Sequence, residues 1–175
     1  CRNGENQLWM QDDGQWARES AVNKLGLEPA YTIDGALFDA DHDGDLDVYA
    51  VNADGPNVLL NNNRDGTWRI VGEQEGLPSP DRESREVIVA DLDNDRDLDL
   101  IIINEEAPHE VYVNDRLWRY RPAEGFDAFI NASIAAAVAG DVDADGHVEL
   151  VTVSEGMNIK VWSRSDGWSG QQIAK

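Results

Sequence analysis

Three short stretches of the chain concentrate carboxylates at alternate positions. Asp39, Asp41, Asp43, Asp45 and Asp47 fall within DADHDGDLD, and Asp91, Asp93, Asp95, Asp97 and Asp99 within DLDNDRDLD. Asp141, Asp143, Asp145 and Glu149 fall within DVDADGHVE. Along a tight turn that spacing converges oxygens on one point, which is repulsive alone and favourable around a hard divalent cation. Calcium suits such a cage because it takes roughly six to eight oxygens in flexible geometry, whereas magnesium keeps more of its water. Soft metals fit poorly, since the stretches hold no Cys and His42 occupies an even place expected to point away.

Counting each loop from its first Asp, side chains at places one, three, five and nine complete most of an oxygen shell, with the carbonyl at place seven. Place seven is Asp45, Asp97 and His147 in the three loops. Place six asks for a left-handed backbone, which Gly44 and Gly146 adopt freely. Arg96 stands there in the second loop, at a cost on the order of 1 kcal/mol and with an adjacent positive charge. The expectation is two or three calcium sites, the Arg96 loop being the weakest. An EF-hand shares the opening D-x-D-x-D-G but needs Glu at place twelve, where this chain has Ala50, Ile102 and Thr152 in apolar runs. A metal-free solvated turn explains one such loop but not three in register.

The elements that hold these loops repeat with them. The first Asp residues, Asp39, Asp91 and Asp141, are spaced by 52 and 50. A second pattern recurs between them: NVLLNNNRDGTW from Asn57 resembles NQLWMQDDGQW from Asn6, with weaker copies from Glu110 and Asn158. Each unit reads as four short strands: a small apolar strand, the acidic loop, a strand apolar on both faces, a third strand, a glycine-containing turn, and an outer strand led by Trp68 or Trp118. Leu98, Leu100 and Ile102 form one side of the second strand, Ile101 and Ile103 the other, so sheets should cover it on both faces. Helix is hard to place. ESAVNKLGL from Glu19 reads as a loop with at most one turn, and NASIAAAVA from Asn131 has some helical propensity although Ala135–Ala139 falls where a first strand belongs.

The predicted fold is therefore all-β, with β-propeller-type repeats of four-stranded antiparallel blades and about three and a half blades in this chain. The boundaries are a half blade over 1–30, then blades over 31–82, 83–130 and 131–175. So few blades mean a piece of a longer propeller, or open edges covered by another chain.

With 14 Lys and Arg against 35 Asp and Glu, the net charge of -21 argues against nucleic acid and anionic membrane surfaces as partners. Three bound calcium ions would bring it to -15. No apolar run approaches a membrane span, and one cysteine, Cys1, allows no internal disulfide. Cys1 could carry a lipid anchor, and a fragment boundary or an intermolecular thiol explains it equally well. The chain reads as a soluble, mature or trimmed product. No catalytic constellation surrounds His42, His109 or His147, and no phosphate loop or nucleophile elbow is present, so an enzyme is not expected. Trp16, Trp68 and Trp118 hold equivalent repeat positions and read as core, leaving Trp9, Trp162 and Trp168 as the freer candidates for contact with sugar. Asn131 heads the one N-glycosylation sequon.

DADHDGDLDVYAVN followed by NVLLNNNRDGTW and EGL resembles the FG-GAP/VCBS repeat group, in particular its cartilage-acidic-protein-like branch. The resemblance spans nearly the whole chain and implies an integrin-alpha-like propeller with calcium in its blade loops, extracellular or on the cell surface. Arg96 and the altered VNDRLWRY depart from the pattern in the second blade. Three functions follow as expectations: a module for protein or glycan binding and adhesion with structural calcium, a self-assembling subunit of an extracellular filament or ring that forms a homo-oligomer through open blade edges, and a polysaccharide-acting enzyme.

Overall fold

A computed structural model describes residues 6–18, 31–78, 82–164 and 168–174. Cys1 and the stretch from Glu19 lie outside the described residues. An N-terminal hairpin pairs β1 (Trp9–Asp12) with β2 (Gln15–Arg18). Three four-stranded antiparallel sheets follow in chain order. The first holds β3 (Thr32–Phe38), β4 (Asp47–Asn52), β5 (Val58–Asn62) and β6 (Trp68–Val71). The second holds β7 (Ser84–Ala90), β8 (Asp99–Asn104), β9 (Glu110–Asn114) and β10 (Tyr120–Pro122). The third holds β11 (Ala136–Gly140), β12 (Glu149–Val153), β13 (Ile159–Arg164) and β14 (Trp168–Ala174). Each acidic loop joins the first strand of a sheet to the second.

The three sheets stack face to face. Leu100 and Ile102 of β8 join Phe38, Tyr49, Val51 and Leu59 in a core between the first two blades. Ile101 and Ile103 join Phe129, Leu150, Trp162 and Trp168 in a second core. The two-faced apolarity of DLIIIN thus arises because the middle sheet is covered on both sides, and every residue of β8 is buried. Four such side chains contribute about 1.5–3 kcal/mol each.

Small polar struts set the stacking offset. At the end of β4, Asn52 Nδ2 donates to Pro56 O at 2.6 Å and Asn52 N to Asn57 Oδ1 at 2.9 Å. Asn57 Nδ2 then crosses to Ser84 Oγ of the next blade at 2.8 Å, and Ser84 Oγ donates to Asn104 Oδ1 at 2.8 Å. Asn104 repeats the turn contact on Pro108 O at 2.7 Å, with His109 in the place of Asn57. His109 is a buried packing residue, which accounts for its lack of a chemical partner in the sequence.

Several expectations need correction. Trp16 is 65% exposed rather than core, because the β1–β2 hairpin has no inner strands beneath it among the described residues. Trp162 and Trp168 are core, not free, and only Trp9 of the freer group is exposed. Trp68 is buried and opens β6 as expected. Trp118 lies in the turn before β10 at φ 64°, half-buried, with the Arg69 guanidinium 4.7 Å from its ring centre. Helix does occur, as one turn at α1 (Asp127–Ile130) and a 3-10 turn at Glu73–Glu75. The alanine-rich run after Asn131 is strand β11, since its pairing with β12 outweighs intrinsic propensity.

Candidate metal centre

The three acidic loops share one backbone. Places four and six are left-handed in each: His42 and Gly44 at φ 62° and 92°, Asn94 and Arg96 at 65° and 78°, Ala144 and Gly146 at 64° and 90°. The first Asp anchors the turn. Asp39 accepts the Asp43 and Gly44 amides at 3.2 and 3.0 Å, Asp91 those of Asp95 and Arg96 at 3.1 and 3.0 Å, and Asp141 those of Asp145 and Gly146 at 3.1 and 3.0 Å. Asp41, Asp93 and Asp143 each accept the amide two residues on, as do Asp43, Asp95 and Asp145.

Place nine is buried and braced by the fold. Asp47 accepts the Ala40 amide at 2.8 Å and the Asn62 amide at 2.9 Å, and Asp99 those of Leu92 and Asn114 at 2.8 and 2.9 Å. Glu149 accepts the Val142 amide at 3.0 Å, so its extra methylene still reaches the loop. Strand pairing thus carries the ninth carboxylate under the turn that the first five residues make.

Each loop brings three carboxylates together. In Asp39, Asp41 and Asp43, in Asp91, Asp93 and Asp99, and in Asp141, Asp143 and Glu149, one oxygen from each residue lies within 4.8 Å of the others. These acidic clusters could hold a metal ion. Burial, followed by like-charge repulsion, pushes Asp45 up to about 6, and burial does the same for Asp47, while Asp99 is pushed up to about 7. Asp41 and Asp93 shift upward for the same reason. Both carboxylate oxygens of Asp45 are buried without a hydrogen-bond partner. An all-oxygen donor set with raised carboxyl pKa values and orphaned oxygens fits a hard divalent cation.

Place seven differs between the loops. The Asp97 side chain is engaged by Arg116 Nε at 2.9 Å and by His42 Nε2 at 2.6 Å, leaving its carbonyl as the group to offer an ion. His42 therefore does point out of its own loop, but into the next one. Asn94 repeats the move, its Nδ2 lying 2.8 Å from His147 Nδ1 of the third loop. The sequence reading missed both contacts, and also Arg64 and Arg116, which reach the Asp43 and Asp95 carbonyls respectively. The signal was present: His42 and Asn94, Asn62 and Asn114, and Arg64 and Arg116 are each separated by 52 residues. The altered turn of the second blade keeps the Asn-x-Arg spacing that does this bracing.

The sequence profile of the FG-GAP-like repeat matches residues 39–102 and 91–152. Cartilage acidic protein 1 of Homo sapiens is 26% identical over 107 residues, covering 59% of this chain and 16% of that protein. The proteins of the same name from Mus musculus and Xenopus tropicalis are 26% and 27% identical, each over 59% of this chain. The chain spans about a sixth of the length of the curated relatives it matches. Since the matched repeats run from Asp39 to Thr152, more than half of its length, this chain belongs to the FG-GAP-like repeat family.

Proposed function

We propose that the chain is an extracellular, calcium-stabilised propeller-repeat module that binds protein or glycan partners and has no catalytic role. The observation that carries this reading is the second loop. Arg96 keeps the left-handed backbone that glycine gives the other two loops. A strained conformation of this kind, costing on the order of 1 kcal/mol, persists where its surroundings over-determine it. Three loops retaining one geometry despite that cost point to a shared ligand. Bound calcium supplies the positive charge that keeps the carboxylates ionised.

The chain's own residues do the rest. Places one, three and five shape the turn, place nine ties it to the third strand, and place seven ties it to the neighbouring blade. Carboxylates committed in this way hold oxygens in place and carry no protons, so binding rather than acid–base chemistry is their work. The relatives are named for cartilage, and an extracellular setting supplies calcium at the millimolar level such modules use.

Terbium replaces calcium in oxygen cages and emits when a nearby indole is excited. The Trp118 indole hydrogen-bonds to Asp41, so the first loop has its own antenna. Terbium emission excited through tryptophan should rise with occupancy, fall when calcium is added, and drop sharply in Trp118→Phe. Emission indifferent to both calcium and Trp118→Phe contradicts the reading.

A further inference from the structure

The surface at the outer side of the first blade combines four observations with one shared answer. Asn6 Nδ2 donates to Thr32 Oγ1 at 2.6 Å, the counterpart of Asn57 Nδ2 on Ser84 Oγ at 2.8 Å one repeat later. The β1–β2 hairpin is thus fastened to the first blade by the contact that fastens β5 to the second, so β1 holds a third-strand place. In the three full blades the third strand pairs with the second, whereas β1 pairs with β2 alone among the described residues.

The apolar face has the same history. Leu37 and Leu46 are 59% and 54% exposed. Their counterparts 52 residues on, Val89 and Leu98, pack against the core between the first and second blades, beside Leu100 and Ile102. Polar groups agree. Asp97 is met by His42 from place four of the preceding loop, and His147 by Asn94. Asp45 holds the corresponding place in the first loop, and its buried oxygens have no partner.

We propose that this end of the stack is a docking surface for a strand, acidic loop and strand hairpin of the same repeat. The hairpin extends the sheet on β1, covers Leu37 and Leu46, and directs a donor from its place four at Asp45. Its source lies outside residues 6–174. The segment Thr32–Asn52 that does this work in the first blade is 21 residues long, more than any undescribed stretch of the chain. A second copy does not fit, because its three hairpins are already paired with their own third strands. Its terminal loop also carries Ala144 at place four, which has no donor.

The test extends the chain by a second copy of residues 31–56 joined directly to Asn6, the counterpart of Asn57. Amide hydrogen exchange in millimolar calcium is read at β1 and, as a check on folding of the host, at β8. Protection of residues 9–12 should rise at least about tenfold over a scrambled extension of equal composition, with iodide quenching of Trp9 and Trp16 reduced. Substituting His42→Ala in the added copy, or Asp45→Ala in the host, should each return part of that protection, and the two together no more than either alone. Equal exchange at β1 in the true and scrambled extensions, with β8 protected in both, overturns the proposal. So does a dimer of the unextended chain that protects residues 9–12 to the same degree, since it would assign the surface to a second copy.

Discussion

The first and second acidic loops have nearly the same backbone and different electrical surroundings. Asp45 and Asp97 share place seven, yet Asp45 faces the carboxylates of its own turn without a partner while Asp97 is held by His42 and Arg116. Gly44 meets the left-handed requirement freely, whereas Arg96 meets it under strain and brings a charge. Geometry in this protein is therefore set within a repeat, and charge balance is set between repeats. The first loop concentrates unneutralised negative charge and should hold calcium more tightly.

The largest break in this comparison comes at place nine. Asp47→Ala removes a ligand and orphans the Ala40 and Asn62 amides, at about 1–3 kcal/mol for each buried group left unpaired. Asp99→Ala does the same to Leu92 and Asn114. In chelator the two variants should unfold at similarly reduced temperatures. In calcium, Asp47→Ala should be the worse, and titration calorimetry should show the tighter site gone. Equal calcium responses in the two variants would erase the distinction between the loops.

Titration without metal separates the loops next. Asp47 and Asp99 have folded-state pKa values near 6 and near 7, above the ordinary 3.8, so the folded chain holds protons that the unfolded chain has released. Stability from these groups is full at low pH and is lost as pH rises from 3.8, ending near 6 for Asp47 and near 7 for Asp99. Thermal unfolding in chelator should fall across that window, and calcium should flatten the fall. A metal-free melting temperature that climbs from pH 4 to pH 7 contradicts this account.

The smallest effect is the exchange at place six. Arg96→Gly should tighten the second site and Gly44→Arg should loosen the first, each roughly five- to tenfold for about 1 kcal/mol of backbone strain with a charge added. A β-carbon at Gly44 meets only Arg64 Nη1, at 3.6 Å, so strain and charge rather than a clash are what calorimetry would read.

Much of this was legible in the sequence because it is local or periodic. Alternating Asp residues, the glycines at places six, and the two faces of DLIIIN each act within one turn or one strand, and the repeat multiplies their signal. The links between blades were not legible. His42 to Asp97 and Asn57 to Ser84 depend on the offset at which sheets stack, and no single repeat encodes that offset. The tryptophans were misjudged for the same reason. Equivalent positions in the pattern become core or surface according to whether a neighbouring sheet is present, and the β1–β2 hairpin leaves Trp16 outside.

Scanning calorimetry of the whole chain in millimolar calcium and in excess chelator, at neutral pH, tests the central claim most directly. Calcium at a hundredfold excess over its dissociation constant adds about 2.7 kcal/mol per site, which for a chain of this size raises the melting temperature by roughly 5–10 °C. The account predicts a rise of at least that amount, reduced in Asp39→Ala. A melting temperature identical in calcium and chelator contradicts it.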